Sequence, residues 1–313
     1  MALLSGYKIA IVGAGGVGGY FGGKLAAAGI DTTFIVRGKT LDALRTRGLR
    51  VQSIDGDFAV GRVQATDRPT EHVDAVLMAV KAWQMREAAE QIKPIVGDET
   101  LVVPLENGID APEQLSSVLG RRNVAGGLCA IFAFVVEPGV VRHAGVQPFI
   151  TFGELDNRLT KRAERLRDVM RSAGINADIS EDIHKSMWSK AVFITPMSGI
   201  GAATRVPVGV WRTLPETRRM AENAIREVVA VATARGVRLD DDIVTKVMQR
   251  YDGLPADATS SLQRDVMSGK PSELDAQLGA AVRLGREGNV PTPILEMLYE
   301  TLLPQERIAR GPV

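Results

Sequence analysis

The sequence predicts an α/β fold in which a doubly wound parallel sheet precedes an all-α domain, and three observations predict it. Short β-branched runs alternate with helix-period segments through the first half. A glycine-rich turn joins the first such run to the segment that follows it. Beyond residue 180 the strand signals almost vanish and long helical patterns take over.

In chain order, residues 8–12, 32–36, 75–80 and 100–105 read as strands, with helices at 17–28, 39–47 and 84–94 between them. The Asp55-Gly56-Asp57 turn divides residues 49–54 from 58–64, the pattern of a hairpin inserted into that sheet. Residues 124–136, 140–144 and 148–152, punctuated by Pro138-Gly139, read as strands extending the same sheet. Helical patterns then cover 183–193, 215–235, 241–251, 262–267, 273–286 and 294–303, and the uncharged stretch 191–204 reads as buried helix. The expected domains are 1–180 and 181–313, with no Pro-rich or Ser-rich linker between them. The Arg310-Gly311-Pro312-Val313 tail is expected to fray.

Composition narrows the function. A chain of 313 residues has the length of about two domains, and 45% hydrophobic with 24% charged residues is enough to fold them. Lys plus Arg number 38 and Asp plus Glu 37, so the net charge of +1 leaves no surplus for nucleic acid or anionic lipid, and a small-molecule partner is expected. A homodimer is kept open as the assembly. The single cysteine, Cys129, cannot form an intrachain disulfide, and His72, His143 and His184 lack metal-ligand spacing. Metal-free chemistry in a reducing, cytoplasmic setting is the expectation. The first eight residues lack the features of a secretory signal, and the uncharged stretches 124–136 and 191–204 are shorter than the roughly 18 residues that suggest a membrane span. No GxSxG elbow occurs, which leaves serine-hydrolase chemistry unsupported.

The turn is Gly13-Ala14-Gly15-Gly16-Val17-Gly18, after a strand and before a helix. That is the context in which a Rossmann-type fold binds a dinucleotide: Gly13 makes the tight turn, Gly15 lets backbone approach the pyrophosphate, and Gly18 lets the helix pack on the strand. N–H groups at the helix start, Gly16 included, face the phosphates. A plain glycine-rich turn is the alternative. At the end of the second strand Arg37 occupies the position that reads the adenosine ribose, with Lys39 beyond it and Asp31 before the strand. A cation there favours NADP, though Arg37 also suits an ordinary solvated loop.

Lys190 shares a helical face with Met187, Phe193, Ile194 and Met197, whereas Lys185 follows Glu181 at surface-pair spacing. A lysine held in apolar surroundings yields its proton more readily to a developing alkoxide, but a snorkelling side chain has the same pattern. Ser260 or Ser261 suits a helix N-cap, and Glu273 a partner for a helix dipole. Asn107, before Gly108 at a strand end, is a turn residue or a ligand contact, and Lys81 an anion contact or a solvated helix start.

Taken together, these positions resemble the ketopantoate reductase (2-dehydropantoate 2-reductase) family over nearly the whole chain. The resemblance rests on Gly13 to Gly18, Arg37, Val80-Lys81-Ala82-Trp83-Gln84, Glu106-Asn107-Gly108-Ile109, Trp188-Ser189-Lys190, Thr259-Ser260-Ser261-Leu262-Gln263-Arg264-Asp265 and Ser272-Glu273-Leu274-Asp275. It implies a Rossmann lobe, a helical lobe of the 6-phosphogluconate dehydrogenase C-terminal type, and an active site in the cleft between them. It further implies that Lys190 is the proton donor and that Glu273 lies near nicotinamide and substrate. Asn107, Ser198 and Ser261 become substrate-site residues, while Lys81 and Asn107 line the cofactor site. The implied reaction is NADPH-dependent reduction of ketopantoate to pantoate, a step of pantothenate biosynthesis.

Two departures bear on the substrate. Ile194 and Ser198 stand where the family usually carries asparagines one and two turns after the lysine, and isoleucine cannot hydrogen-bond. Glu106 replaces a glutamine often found before the Asn-Gly pair. A less polar 2-oxo acid or ketone, and an NADP-binding sensor without chemistry, are the alternatives.

Overall fold

A computed structural model describes residues 6–311. The chain divides into two compact units: the part up to Glu106 with Ala111–Ile183, and Asn107–Asp110 with the part from His184 onward.

The first unit runs β1 (Lys8–Val12), α1 (Gly16–Ala27), β2 (Asp31–Ile35), α2 (Gly38–Arg47), β3 (Leu49–Ser53), β4 (Phe58–Val60), β5 (Gln64–Thr66), β6 (Val73–Met78), α3 (Met85–Ile92), β7 (Val96–Pro104), α4 (Ala111–Leu119), β8 (Ala125–Glu137), β9 (Val140–Glu154), α5 (Lys161–Ser172) and β10 (Asn176–Ile179). Five strands form a parallel sheet in the order β5-β2-β1-β6-β7. Alternation along each strand sends side chains to two separate cores. Ile9, Ile11, Ala75, Leu77, Leu101 and Val103 enter one, while Ala10, Val12, Val76, Met78 and Val102 enter the other with Met85, Ala89 and Leu115 of α3 and α4. Because the chain leaves β1 toward β2 on one side and β6 lies on the other, the turn after β1 sits at the topological switch point, where open α/β sheets bind ligands.

The expected parallel sheet is present, but its extent differs from expectation. The hairpin β3–β4 is antiparallel as expected, yet it belongs to a second sheet, β10-β9-β3-β4, with β8 paired to β9. Residues 140–144 and 148–152 are parts of the single strand β9, and among the described residues neither β8 nor β9 pairs with the five-stranded sheet; one isolated bridge, Val102 to Val124, lies just before β8. Period-two alternation tells which face of a strand is buried, not which sheet owns it. Val141, Ile150 and Phe152 of the second sheet pack in the same core as Tyr20, Phe21 and Leu25 of α1. Asp31 opens β2 rather than preceding it.

The second unit is helical: α6 (Ile183–Thr204, its first residue counted with the first unit), α7 (Val208–Trp211), α8 (Pro215–Ala234), α9 (Ile243–Gly253), α10 (Ser261–Met267), a π-helical stretch Asp275–Gly279 continuing into α11 (Ala280–Glu287), and α12 (Pro293–Arg310). Prolines at the first turns of α8 and α12 fit positions whose N–H has no partner within the helix. One core joins Trp188, Val192, Ile200, Trp211, Ile225, Tyr251, Leu262, Leu278 and Leu298. Among the described residues no helix is long and apolar enough to cross a membrane. Arg310, expected to fray, is the last residue of α12 and bonds the Ser272 carbonyl at 3.0 Å; Pro312 and Val313 of that tail lie outside the described residues, as do residues 1–5.

Candidate active site

The glycines of the first turn are fixed by different causes. Gly13 has φ +90°, and a Cβ there would lie 2.9 Å from the Ala79 carbonyl oxygen. A Cβ on Gly16 would collide with the Ala133 carbonyl, and one on Gly18 with the Gly13 carbonyl. These three are demanded by packing. Gly15 is not: its φ is −72° and a Cβ would meet no atom within 4 Å. It caps α1 with no side-chain hydrogen bond, and the first turn carries no acidic residue. The start of α1 therefore presents uncapped N–H groups and the positive end of its dipole beside an open backbone surface. A dinucleotide pyrophosphate fits this arrangement.

Arg37 is the N-cap residue of α2, two residues beyond β2, and is largely exposed. Its Nη1 lies 2.7 Å from Glu87 Oε1 on α3, and that hydrogen bond and charge lower the Glu87 pKa. Lys81 starts the short helical turn before α3, its Nζ 5.9 Å from the centre of the Trp83 ring.

The second unit holds the remaining predicted residues. Lys190 is half-buried on α6 next to buried Met187 and Ala191, whereas Lys185 pairs with Asp240 at 2.6 Å on the surface. Pro196 interrupts the N–H series of α6, and the buried Tyr251 hydroxyl donates to the Phe193 carbonyl at 2.6 Å, bracing the helix there. Burial raises the Tyr251 pKa, so it stays a donor. Ser260 is the N-cap of α10, accepting from the Gln263 N–H at 3.0 Å, and Ser261 is the first helical residue, half-buried. Glu273, only 6% exposed, immediately precedes the helix that begins at Leu274. Asn107 is half-buried and belongs to the short loop that counts with this unit.

Specific contacts bring these elements together. Arg283 bonds Asp110 Oδ2 at 3.3 Å and Asp275 Oδ1 at 2.9 Å, tying the Asn107 loop to the segment that follows Glu273, and Ile109 packs on the helical core. A Cβ on Gly199 would lie 2.7 Å from Leu278 Cδ2, and one on Gly201 would collide with Gln263 Oε1. α6 therefore packs without spacing against both the π-helical stretch and α10. Lys190, Ser198, Ser261, Glu273 and Asn107 thus share one cross-braced unit.

Residue chemistry also picks out groups that the sequence did not. Glu306, 4% exposed, accepts from the Ser272 N–H at 3.0 and 3.1 Å and from the Ser272 hydroxyl at 2.5 Å, directly before Glu273. The signal is a separation of 34 residues, which no local pattern carries. Gln277 and Ser198 are buried polar residues, 3% and 0% exposed, whose polar side-chain atoms have no protein partner among the described residues.

A glycine-rich turn open to a phosphate on a doubly wound sheet, followed by a helical unit carrying a lysine and a buried carboxylate, is the make-up of a two-unit oxidoreductase of the dinucleotide-binding class. Residues 9–157 match the family model for ketopantoate reductase PanE/ApbA and residues 182–306 the model for its C-terminal domain. The chain belongs to this ketopantoate reductase family, whose members are oxidoreductases acting on CH–OH groups. It is 30% identical to the uncharacterized oxidoreductase YkpB of Bacillus subtilis (strain 168), over 94% of this chain and 97% of that one. It is 28% identical to a 2-dehydropantoate 2-reductase of Nostoc sp. (strain PCC 7120), with 94% of each covered. The crystal structure of 2-dehydropantoate 2-reductase from Geobacter metallireducens GS-15 superposes with a TM-score of 0.87 at 30% identity, covering 95% of this chain and 99% of that one. D-mandelate dehydrogenase with NADH and anilino(oxo)acetate shares the fold, with a TM-score of 0.88 at 23% identity over 97% and 99% of the two chains.

Proposed function

We propose that the chain is an NADPH-dependent reductase of 2-oxo acids, with ketopantoate the substrate the family membership favours. The observation that carries the cofactor half is Gly15, the one glycine of the turn that neither packing nor backbone angle requires. A bound reduced nicotinamide supplies the hydride. The α1 N–H groups hold the pyrophosphate, and Arg37 pairs with the 2′-phosphate that distinguishes NADPH. Lys81 and Asn107 complete the cofactor contacts. A structural neighbour carries NADH, so the choice between the two rests on Arg37.

Lys190 donates a proton from Nζ to the carbonyl oxygen as it becomes an alkoxide. Its partial burial limits competition from bulk water. Glu273 orients the lysine and the substrate. Ser261, Asn107 and Ser198 serve as neutral hydrogen-bonding groups for the substrate.

The test is loss of reduced-nicotinamide absorbance across a panel of 2-oxo acids. Turnover that falls by orders of magnitude in Lys190→Ala, with NADPH affinity retained, is the expected result. Turnover of no member of the panel, despite tight NADPH binding, would instead mark a sensor.

A further inference from the structure

We infer that Gln277 is a specificity-determining residue that reads a hydroxyl group on the substrate beyond its 2-oxo acid end. The inference rests on the proposed reductase reading. Its basis is that both polar atoms of the Gln277 amide lack a protein partner among the described residues, although the side chain is only 3% exposed. Burying an amide without its hydrogen bonds is costly, and an apolar residue of similar size would avoid that cost. The backbone there is a π-helix, a rare form that is frequent at functional sites.

Position connects this amide to the chemistry. The Gln277 N–H bonds the Glu273 carbonyl at 3.0 Å, so Gln277 lies about one helical turn beyond Glu273. On α6 the same order recurs: Lys190, then Ile194, then Ser198, whose fully buried hydroxyl also lacks a protein partner among the described residues. The close approach of Gly199 to Leu278 packs the stretch beside Ser198 directly against the stretch beside Gln277. Each segment thus carries a group assigned to the reaction and, further along, a buried polar group without a protein partner among the described residues. Between them Ile194 offers no hydrogen bond. An amide both donates and accepts, and the uncharged ligand group that answers it is itself a donor and acceptor: a hydroxyl. Gln277 supplies the contact that Ile194 cannot.

The test compares kcat/KM for ketopantoate and for 3,3-dimethyl-2-oxobutanoate, which lacks only the hydroxyl, in the wild-type protein, Gln277→Met and Gln277→Leu. The wild-type chain is expected to prefer ketopantoate by at least about tenfold, the scale of one unmet buried hydrogen bond. Both variants are expected to lose that preference through ketopantoate alone, to keep turnover of the deoxy compound within about twofold, and to gain thermal stability from removal of the orphaned amide. An unchanged preference, an equal fall for both substrates, or no wild-type preference overturns the inference. NADPH affinity and circular dichroism establish that each variant is folded. If the wild-type protein binds NADPH but reduces neither compound nor any other 2-oxo acid, the reductase reading itself fails and this inference with it.

Discussion

The two carboxylate oxygens of Glu306 both face the backbone N–H of Ser272, at 3.1 and 3.0 Å, and one also accepts the Ser272 hydroxyl. Arg310, one turn further along α12, closes the arrangement, lying 2.7 Å from Glu306 and 3.0 Å from the Ser272 carbonyl. Three connections from the C-terminal helix therefore fix the peptide that leads into Glu273. Glu306→Ala leaves the buried Ser272 N–H and hydroxyl unmet, a loss of about 2–4 kcal/mol in chemical denaturation. Because the freed segment carries Glu273, kcat is expected to fall while NADPH affinity holds. Glu306→Gln, which keeps an acceptor, recovers part of both; equal kinetics in the two variants would show that the clamp has no bearing on Glu273.

Gly15 and Gly18 separate binding from folding. A methyl group at Gly18 collides with the Gly13 carbonyl, so Gly18→Ala is expected to lower thermal stability by about 1–3 kcal/mol through overpacking and backbone shift. Gly15→Ala places its methyl in open space and should leave stability within about 0.5 kcal/mol. It is nonetheless expected to weaken NADPH binding, because the methyl occupies the surface a phosphate approaches. Thermal melts and fluorescence titration of NADPH with the two variants check this, and equal affinities for wild type and Gly15→Ala would refute the phosphate role.

What the sequence made legible follows the range of the forces involved. Gly13, Gly16 and Gly18 stand out because the motif's spacing after a strand is local, although only the Gly18 demand is set by a near neighbour, Gly13, while Gly13 and Gly16 answer to Ala79 and Ala133; helix periodicity placed Lys190 on its segment. Ownership of β3, β4, β8 and β9 by a second sheet was not legible, since hydrophobic alternation in Val140–Glu154 is satisfied by a partner on either sheet. Arg310 looked like a loose end because its partners, Ser272 and Glu306, are set by the packing of α12. The π-helical backbone at Gln277 has no local signature, and its orphaned amide is visible only once burial is known.

Glu227 on α8 holds the start of α12, accepting the Ile294 and Leu295 N–H groups at 2.9 Å each. Partial burial nevertheless raises its carboxyl above the ordinary value of 4.5, outweighing those two hydrogen bonds. A raised folded-state value means the folded chain binds this proton more tightly than the unfolded one. The associated stability is present below the ordinary value and is lost as pH rises through the folded value. Relative to Glu227→Gln, which does not titrate, the wild-type protein should therefore lose Tm as pH rises from 4.5 through the mildly acidic range. A Tm difference independent of pH would contradict that sign.

The pairing of Arg37 with Glu87 bears on cofactor choice. Both side chains are exposed, so the ion pair adds little to stability, yet it fixes where the guanidinium points and sets a carboxylate in competition with any phosphate. Arg37→Ala is expected to weaken NADPH binding by about tenfold or more while leaving NADH nearly unchanged, because only NADPH carries the 2′-phosphate. Glu87→Gln removes the competing charge, and NADPH should bind more tightly at low ionic strength, with the gain shrinking as salt screens the site. Titrating both cofactors against both variants at two salt concentrations reads all of these effects. Equal losses of NADH and NADPH affinity in Arg37→Ala would assign the arginine to the architecture of the α2 start rather than to the phosphate, and the proposed choice of NADPH would lose its support.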